Sequence, residues 1–152
     1  IALGISTYDP LATAELHQRF PLAMIQAPAS ALDQRYLEAA ESMAATEATL
    51  RSIFLQGLLL LEPTEAARRL PQGRSAIEAW SQWCADHALD KLDGAVSIAR
   101  SFDADYCVIG VESAAQFDRI AEAWSSASPR HAPELAVDTL TIIDPRTWPG
   151  KV

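Results

Sequence analysis

Short unbroken apolar runs alternate along this chain with stretches where apolar residues return every three or four positions. Runs of the first kind read as strands covered on both faces, and stretches of the second kind as amphipathic helices. Residues 1–6 form the first predicted strand. Asp9-Pro10 then supplies an N-cap and a first helical residue, which predicts a helix over 10–19 that stops before Phe20-Pro21. Residues 22–27 are a second strand. Asp33 is placed as the cap of a helix running to about residue 45, with Leu37, Ala40 and Ala44 on one face. A third strand covers 49–55 and leaves through Gly57.

Glu62-Pro63 opens a short helix over 64–70, and Pro71-Gln72-Gly73 is a turn. Ser75 and Glu78 have the spacing of a capping box. The helix they introduce carries Ile77, Trp80, Trp83, Cys84 and His87 as one stripe. Asp90 caps a further helix ending near residue 100. Residues 106–110 form a fourth strand, and a helix over 113–126 is expected to bury Phe117, Ile120, Ala121 and Trp124. From Pro129 the chain is punctuated by proline and reads as a surface tail anchored by Leu140, Ile142, Ile143 and Trp148. The order β-α-β-α-β-α-α-α-β-α predicts a parallel α/β sheet with outer helices. No sequence repeat and no low-complexity segment divides it.

Ligands of parallel α/β folds sit beyond the carboxyl ends of the strands, and here those ends are polar. The first strand ends in Ser6-Thr7. The second holds Gln26, an amide within an apolar run. The third carries Arg51 and Ser52, and the fourth ends at Gly110. Beyond Gly110, Val111-Glu112-Ser113 leads into a helix in which Gln116 stands at the capping-box position. A strand–glycine–helix turn of this kind aims backbone N–H groups and a positive helix end at one spot, which suits a phosphate. A buried glutamine requires several hydrogen-bond partners, which a planar carboxamide ligand would satisfy; neighbouring backbone groups would also do so.

Composition narrows the field. The net charge of −8 argues against nucleic acid and anionic membrane surfaces as partners. Hydrophobic residues make up 49% of the 152 positions, enough for one domain with a real core. Cys84 and Cys107 lie in apolar contexts outside any metal or redox motif and read as reduced thiols. The histidines His17, His87 and His131 are isolated, so neither a catalytic triad nor a zinc site is supported. Asp103 and Asp105 precede the fourth strand, on the side of such a sheet opposite to catalysis. No Rossmann glycine fingerprint, P-loop or GxSxG elbow occurs. No signal-peptide pattern is evident, the run 55–61 is too short to span a bilayer, and a cytoplasmic location is expected.

Several blocks taken together carry a resemblance. Gly4-Ile5-Ser6-Thr7-Tyr8, Ile25-Gln26-Ala27-Pro28, Asp33-Gln34-Arg35, the segment from Arg51 to Leu59 (RSIFLQGLL) and that from Val108 to Gln116 (VIGVESAAQ) resemble, in order and spacing, the second half of an aldo-keto reductase. The likeness runs from residue 1 to about 124, and the tail segment Ile143-Asp144-Pro145-Arg146-Thr147-Trp148-Pro149 resembles the C-terminus of a bacterial subgroup. The resemblance implies strands five to eight of a (β/α)8 TIM barrel over 1–128, followed by a tail over 129–152. It implies that Ser6, Thr7 and Gln26 meet a nicotinamide carboxamide, and that Arg51 and Ser52 lie against the nicotinamide ring and pyrophosphate. Gly110, Val111, Ser113, Gln116 and Arg119 would hold the adenosine end. The cofactor so implied is NADP(H), with NAD(H) as the alternative, and the substrate a small carbonyl compound. Departures from the family pattern are Thr7 for the usual Asn, Arg51 for a stacking Tyr, Gln116 for an Arg that meets the 2′-phosphate, and Ala29-Ser30 for an aromatic–Asn pair.

The family's catalytic Asp, Tyr, Lys and His belong to earlier strands, and nothing in this sequence matches them. Tyr8, Tyr36 and Tyr106 do not stand in the matching segments. The chain is therefore expected to carry a cofactor cradle without its proton donor. A whole barrel takes about 250 residues and has no open edge. Four strands alone leave two, and each buried, unmade backbone hydrogen bond costs on the order of 1–3 kcal/mol, against a total domain stability of about 5–15 kcal/mol. The expectation is that a missing N-terminal half or a second copy of this chain closes the sheet. The alternative function is a non-catalytic half-barrel that binds a nucleotide or assembles with itself.

Overall fold

The computed structural model describes residues 2–43 and 46–149. Four parallel strands lie side by side in chain order: β1 (Gly4–Ser6), β2 (Met24–Pro28), β3 (Glu47–Arg51) and β4 (Tyr106–Val108). α1 (Pro10–Arg19) joins β1 to β2, and α2 (Arg35–Ala40) joins β2 to β3. α3 (Pro63–Arg69), α4 (Arg74–Asp86) and α5 (Lys91–Arg100) separate β3 from β4. α6 (Ala114–Ser126) follows β4, and α7 (Leu140–Ile143) lies in the tail. Helical crossovers between sequential parallel neighbours make this the α/β sheet that the alternating pattern predicts.

Register divides the strand residues between two faces, because side chains alternate along a strand. Ile5, Ile25 and Ala48 pair across one row, and Ala27, Leu50 and Cys107 across another. These rows meet the helices: Ile25, Ala27, Ala48 and Leu50 are buried, and Ile5 and Cys107 pack at the margin. The opposite face carries Ser6, Gln26, Thr49 and Tyr106 in one row and Pro28, Arg51 and Val108 in the next. β2 and β3 are central and well covered, whereas both outer residues of β1 and of β4 are exposed. The expectation that all strands are covered on both faces therefore fails at the two edges, where no described element packs.

Behind the sheet, α4 buries the stripe Ile77, Trp80, Trp83 and Cys84. Trp80 Nε1 donates to the Leu59 carbonyl at 2.8 Å. Its ring stacks on Trp83 with centroids 5.8 Å apart, and Trp83 stacks on His87 at 4.2 Å. Gly94 of α5 lets that helix approach the Trp80 ring and the Cys84 thiol. Both cysteines are free thiols, and burial pushes the Cys84 pKa up to about 12 and that of Cys107 up to about 11.

Several boundaries differ from expectation. Asp33 is buried and does not cap α2. Its carboxylate accepts from Arg35 Nε and Nη2, both at 2.8 Å. The helix starts at Arg35 and passes after Ala40 into a single 3₁₀ turn, Glu41–Met43. The predicted end of that helix, with Ala44, falls outside the described residues, as does Ile1 of the first strand. α4 is capped by Gly73 without a side-chain bond, so Ser75 and Glu78 form no capping box; Glu78 lies 3.8 Å from Arg74 instead. β3 occupies 47–51, not 49–55, because Ser52 turns left-handed at φ +66° and ends the strand. The following turn still buries Ile53 and Leu55.

The largest correction concerns α6. Of this helix only Ala123 is fully buried; Phe117 is 59% exposed, and Ile120, Ala121 and Trp124 are half-buried. With Tyr106, Cys107 and Val111 they line an open groove of about 470 Å³ beside β4. Leu3 and Phe20, near β1, are similarly bare on the other flank. Of the tail's expected anchors Ile142, Ile143 and Trp148 are buried and Leu140 is exposed, and Ile143, Asp144 and Pro145 lie beside Tyr8, Pro28 and Arg51 at the strand ends. It is tied down by Val137 N donating to the Leu32 carbonyl and by Gln34 Nε2 donating to that of Ala132. Among the described residues no helix is long and apolar enough to cross a membrane.

Candidate functional site

The carboxyl ends of the four strands point to one rim, and hydrogen bonds connect its residues. Ser6 Oγ donates to Gln26 Oε1 at 3.0 Å across the β1–β2 pair. The Thr7 carbonyl accepts from Arg51 Nη2 at 2.8 Å, and Arg51 Nη1 lies 3.2 Å from Ser52 Oγ. The Thr7 hydroxyl is engaged locally, accepting from Asp9 N at 2.9 Å and from Thr13 Oγ1 at 2.9 Å, where it steadies the start of α1. Asp9 itself caps α1 by accepting from Ala12 N.

β3 leads into a strained turn. Ser52, Leu55 and Gln56 adopt φ of +66°, +47° and +56° before Gly57 at +78°. Side chains favour this region poorly, so the surrounding packing must hold this turn in shape. The turn and the β4–α6 connection face each other across a groove of about 910 Å³. Arg51, Ser52, Gly110, Val111, Gln116 and Arg119 all line it. Gly110 adds no side chain to the groove, and a Cβ built there meets nothing within 4 Å.

Ser113 does not line the groove; it caps α6, with its Oγ accepting from Gln116 N at 3.2 Å. Gln116 reaches back so that its Oε1 accepts from Glu112 N at 2.8 Å, one residue earlier than a capping box requires. Arg119 Nη2 donates to Asp90 Oδ2 at 2.7 Å and to both Asp93 oxygens at 2.9 Å. These carboxylates raise the Arg119 pKa further.

Several rim residues escaped the sequence reading. Tyr8 lies between guanidiniums, with Arg51 Cζ 4.2 Å and Arg146 Cζ 3.7 Å from its ring centroid. Arg146 comes from the tail and forms a close pair with the buried Asp144, whose carboxyl it holds below the usual range. Arg35 reaches the Tyr8 carbonyl at 3.3 Å. Glu112 also lines the groove. The adjacency of Tyr8 to Ser6-Thr7 was a usable signal. Nothing in local sequence foretells that Arg146 returns to β1.

The residues set aside remain structural. Asp105 Oδ2 accepts from Ala48 N at 2.8 Å, at the opposite end of the sheet. His17 Nδ1 accepts from Leu22 N, and His87 Nδ1 lies 2.8 Å from the Trp83 carbonyl. Among the described residues no group of His, Cys, Asp and Glu could hold a metal ion.

No family model matches the sequence, and no curated protein matches it. Solved structures do match in shape. The apo form of aldo-keto reductase AKR11C1 from Bacillus halodurans superimposes with a TM-score of 0.63 at 19% identity, covering 88% of this chain and 48% of that one. Its holo form gives 0.63 at 18% identity, covering 91% and 51%. The chain thus spans about half the length of the structures it matches, and its fold is that of half an aldo-keto reductase barrel.

Proposed function

We propose that this chain is the cofactor-binding, C-terminal half of an aldo-keto reductase-type oxidoreductase, with 1–128 as barrel and 129–152 as a tail that straps the rim. The observation that carries this reading is the convergence of Arg51, Ser52, Gly110, Val111, Gln116 and Arg119 on one groove, with the Ser6–Gln26 pair on the same rim but outside that lining. The donor set fits a nicotinamide dinucleotide. Gln26 offers an amide edge to a carboxamide. Among the described residues Arg51 has no carboxylate partner, so its half-buried charge suits a diphosphate. The dinucleotide would supply the hydride for reduction of a carbonyl. This chain's residues would orient the nicotinamide through Ser6 and Gln26, hold the diphosphate at Arg51 and Ser52, and receive the adenosine between the β3 turn and α6.

The proton for the product alcohol is assigned to the complementary half. Tyr8 is held between two guanidiniums, and burial raises the pKa of Tyr36 well behind the sheet. The partner is therefore a complementary four-stranded half, in the same polypeptide or separate, or a second copy. The open edges also favour a second reading, a non-catalytic half-barrel that binds a nucleotide or assembles with itself. Calorimetric titration with NADH and NADPH, together with a carbonyl-reduction assay, tests both. The expected result is binding without turnover until the complementary half is added. Absence of binding to either dinucleotide sinks the cradle, and turnover by this chain alone sinks the assignment of the proton donor.

A further inference from the structure

Charge is distributed unevenly along the groove. At the β3 end stands Arg51, a cation that meets the Thr7 carbonyl, the Ser52 hydroxyl and the Tyr8 ring. At the α6 end stand Glu112, which faces the groove, and Arg119, whose guanidinium is already engaged by two carboxylates from the start of α5, Asp90 and Asp93. The positive end of α6 is also partly consumed, since Ser113 takes the Gln116 amide.

We infer that the α6 end of the groove selects an adenosine ribose with a free 2′-hydroxyl, so that the chain binds NAD(H) in preference to NADP(H). This rests on the dinucleotide reading above and runs against the cofactor that the sequence resemblance implies. The direction of the ligand follows from that reading. With the carboxamide at Ser6–Gln26 on β1 and β2 and the diphosphate at Arg51 on β3, the adenosine extends towards β4 and α6. A ribose diol donates hydrogen bonds, which a carboxylate such as Glu112 accepts. A 2′-phosphate would be a dianion beside Glu112, and would meet an Arg119 whose Nη2 is already engaged by Asp90 and Asp93.

The test is titration of the full chain with NADH, NADPH, ADP-ribose and 2′-phospho-ADP-ribose at low ionic strength. The expected result is binding at least tenfold tighter for NADH than for NADPH, and for ADP-ribose than for its 2′-phosphorylated form. Asp93→Asn, which loosens the hold on Arg119, should narrow that ratio at least threefold while leaving ADP-ribose affinity within twofold, and Glu112→Gln, an exposed change that does not touch the core, should narrow it while also weakening ADP-ribose. Equal or tighter binding of the 2′-phosphorylated ligands overturns the selectivity and leaves the groove assignment intact. A ratio unmoved by both variants overturns the role given to these carboxylates. Failure of all four ligands to bind removes the groove assignment and this inference with it.

Discussion

A Cβ built on Gly94 would lie 2.9 Å from both Cys84 Sγ and Trp80 Cη2, two groups locked inside the helical layer. Gly94→Val therefore overpacks the α4–α5 contact and should cost about 1–3 kcal/mol, read as a lowered urea midpoint. Gly110→Ala is the contrasting case: it meets open space, and stability should stay within about 0.5 kcal/mol of the parent. Asp144 carries the pH dependence at this scale. Its pairing with Arg146 lowers its folded pKa below the usual carboxylate value. A depressed folded pKa contributes stability that is complete above the unfolded value, near about 3.9, and is lost as pH falls through the folded one. Acid titration of the urea midpoint should thus show a fall below about pH 4 that Asp144→Asn flattens.

At the scale of elements, caps and turns set the energetics around the groove. Ser113→Ala removes the α6 cap and should cost about 1 kcal/mol in thermal or urea unfolding. Ser52→Gly relieves a left-handed serine and should raise stability on the order of 0.5 kcal/mol once the extra freedom of the unfolded glycine is offset. Because it also removes a hydroxyl at Arg51, it should weaken dinucleotide binding in the same titration that measures the parent.

Elements were the part most legible in sequence. The α4 stripe, the Asp9, Asp90 and Ser113 caps and the alternation of strands and helices all follow from local spacing. The end of β3 was not legible, since apolar residues continue to Leu55 and only the backbone reversal at Ser52 turns them into a buried loop. The pairing of Arg119 was also hidden, because its carboxylates come from a helix start 26 and 29 residues earlier. Asp33 misled for a related reason. A good capping residue was drawn instead into a buried ion pair with Arg35.

For the whole molecule the decisive fact is the exposure of both edge strands. β4 and α6 offer Tyr106, Val108, Val111 and Phe117, and the β1 side offers Leu3 and Phe20. Apolar side chains flanking unpaired strand edges favour association. Sedimentation of the isolated chain should show species heavier than 16.5 kDa. The pair of changes Val108→Lys and Phe117→Lys should return it to the monomer without lowering helix content, since both residues are exposed. The α6 burial inferred from periodicity belongs at this scale too: the stripe of Phe117, Ile120 and Trp124 is genuine, but among the described residues it borders an open groove.

The Trp80–Trp83–His87 stack has a use in any such experiment. Two indoles 5.8 Å apart, the second stacked on an imidazole at 4.2 Å, give coupled near-ultraviolet transitions. Neither indole lines the groove between the β3 turn and α6. Their dichroism therefore serves as a built-in optical gauge of the helical layer, and a ligand that alters function without disturbing that signal acts on the rim alone.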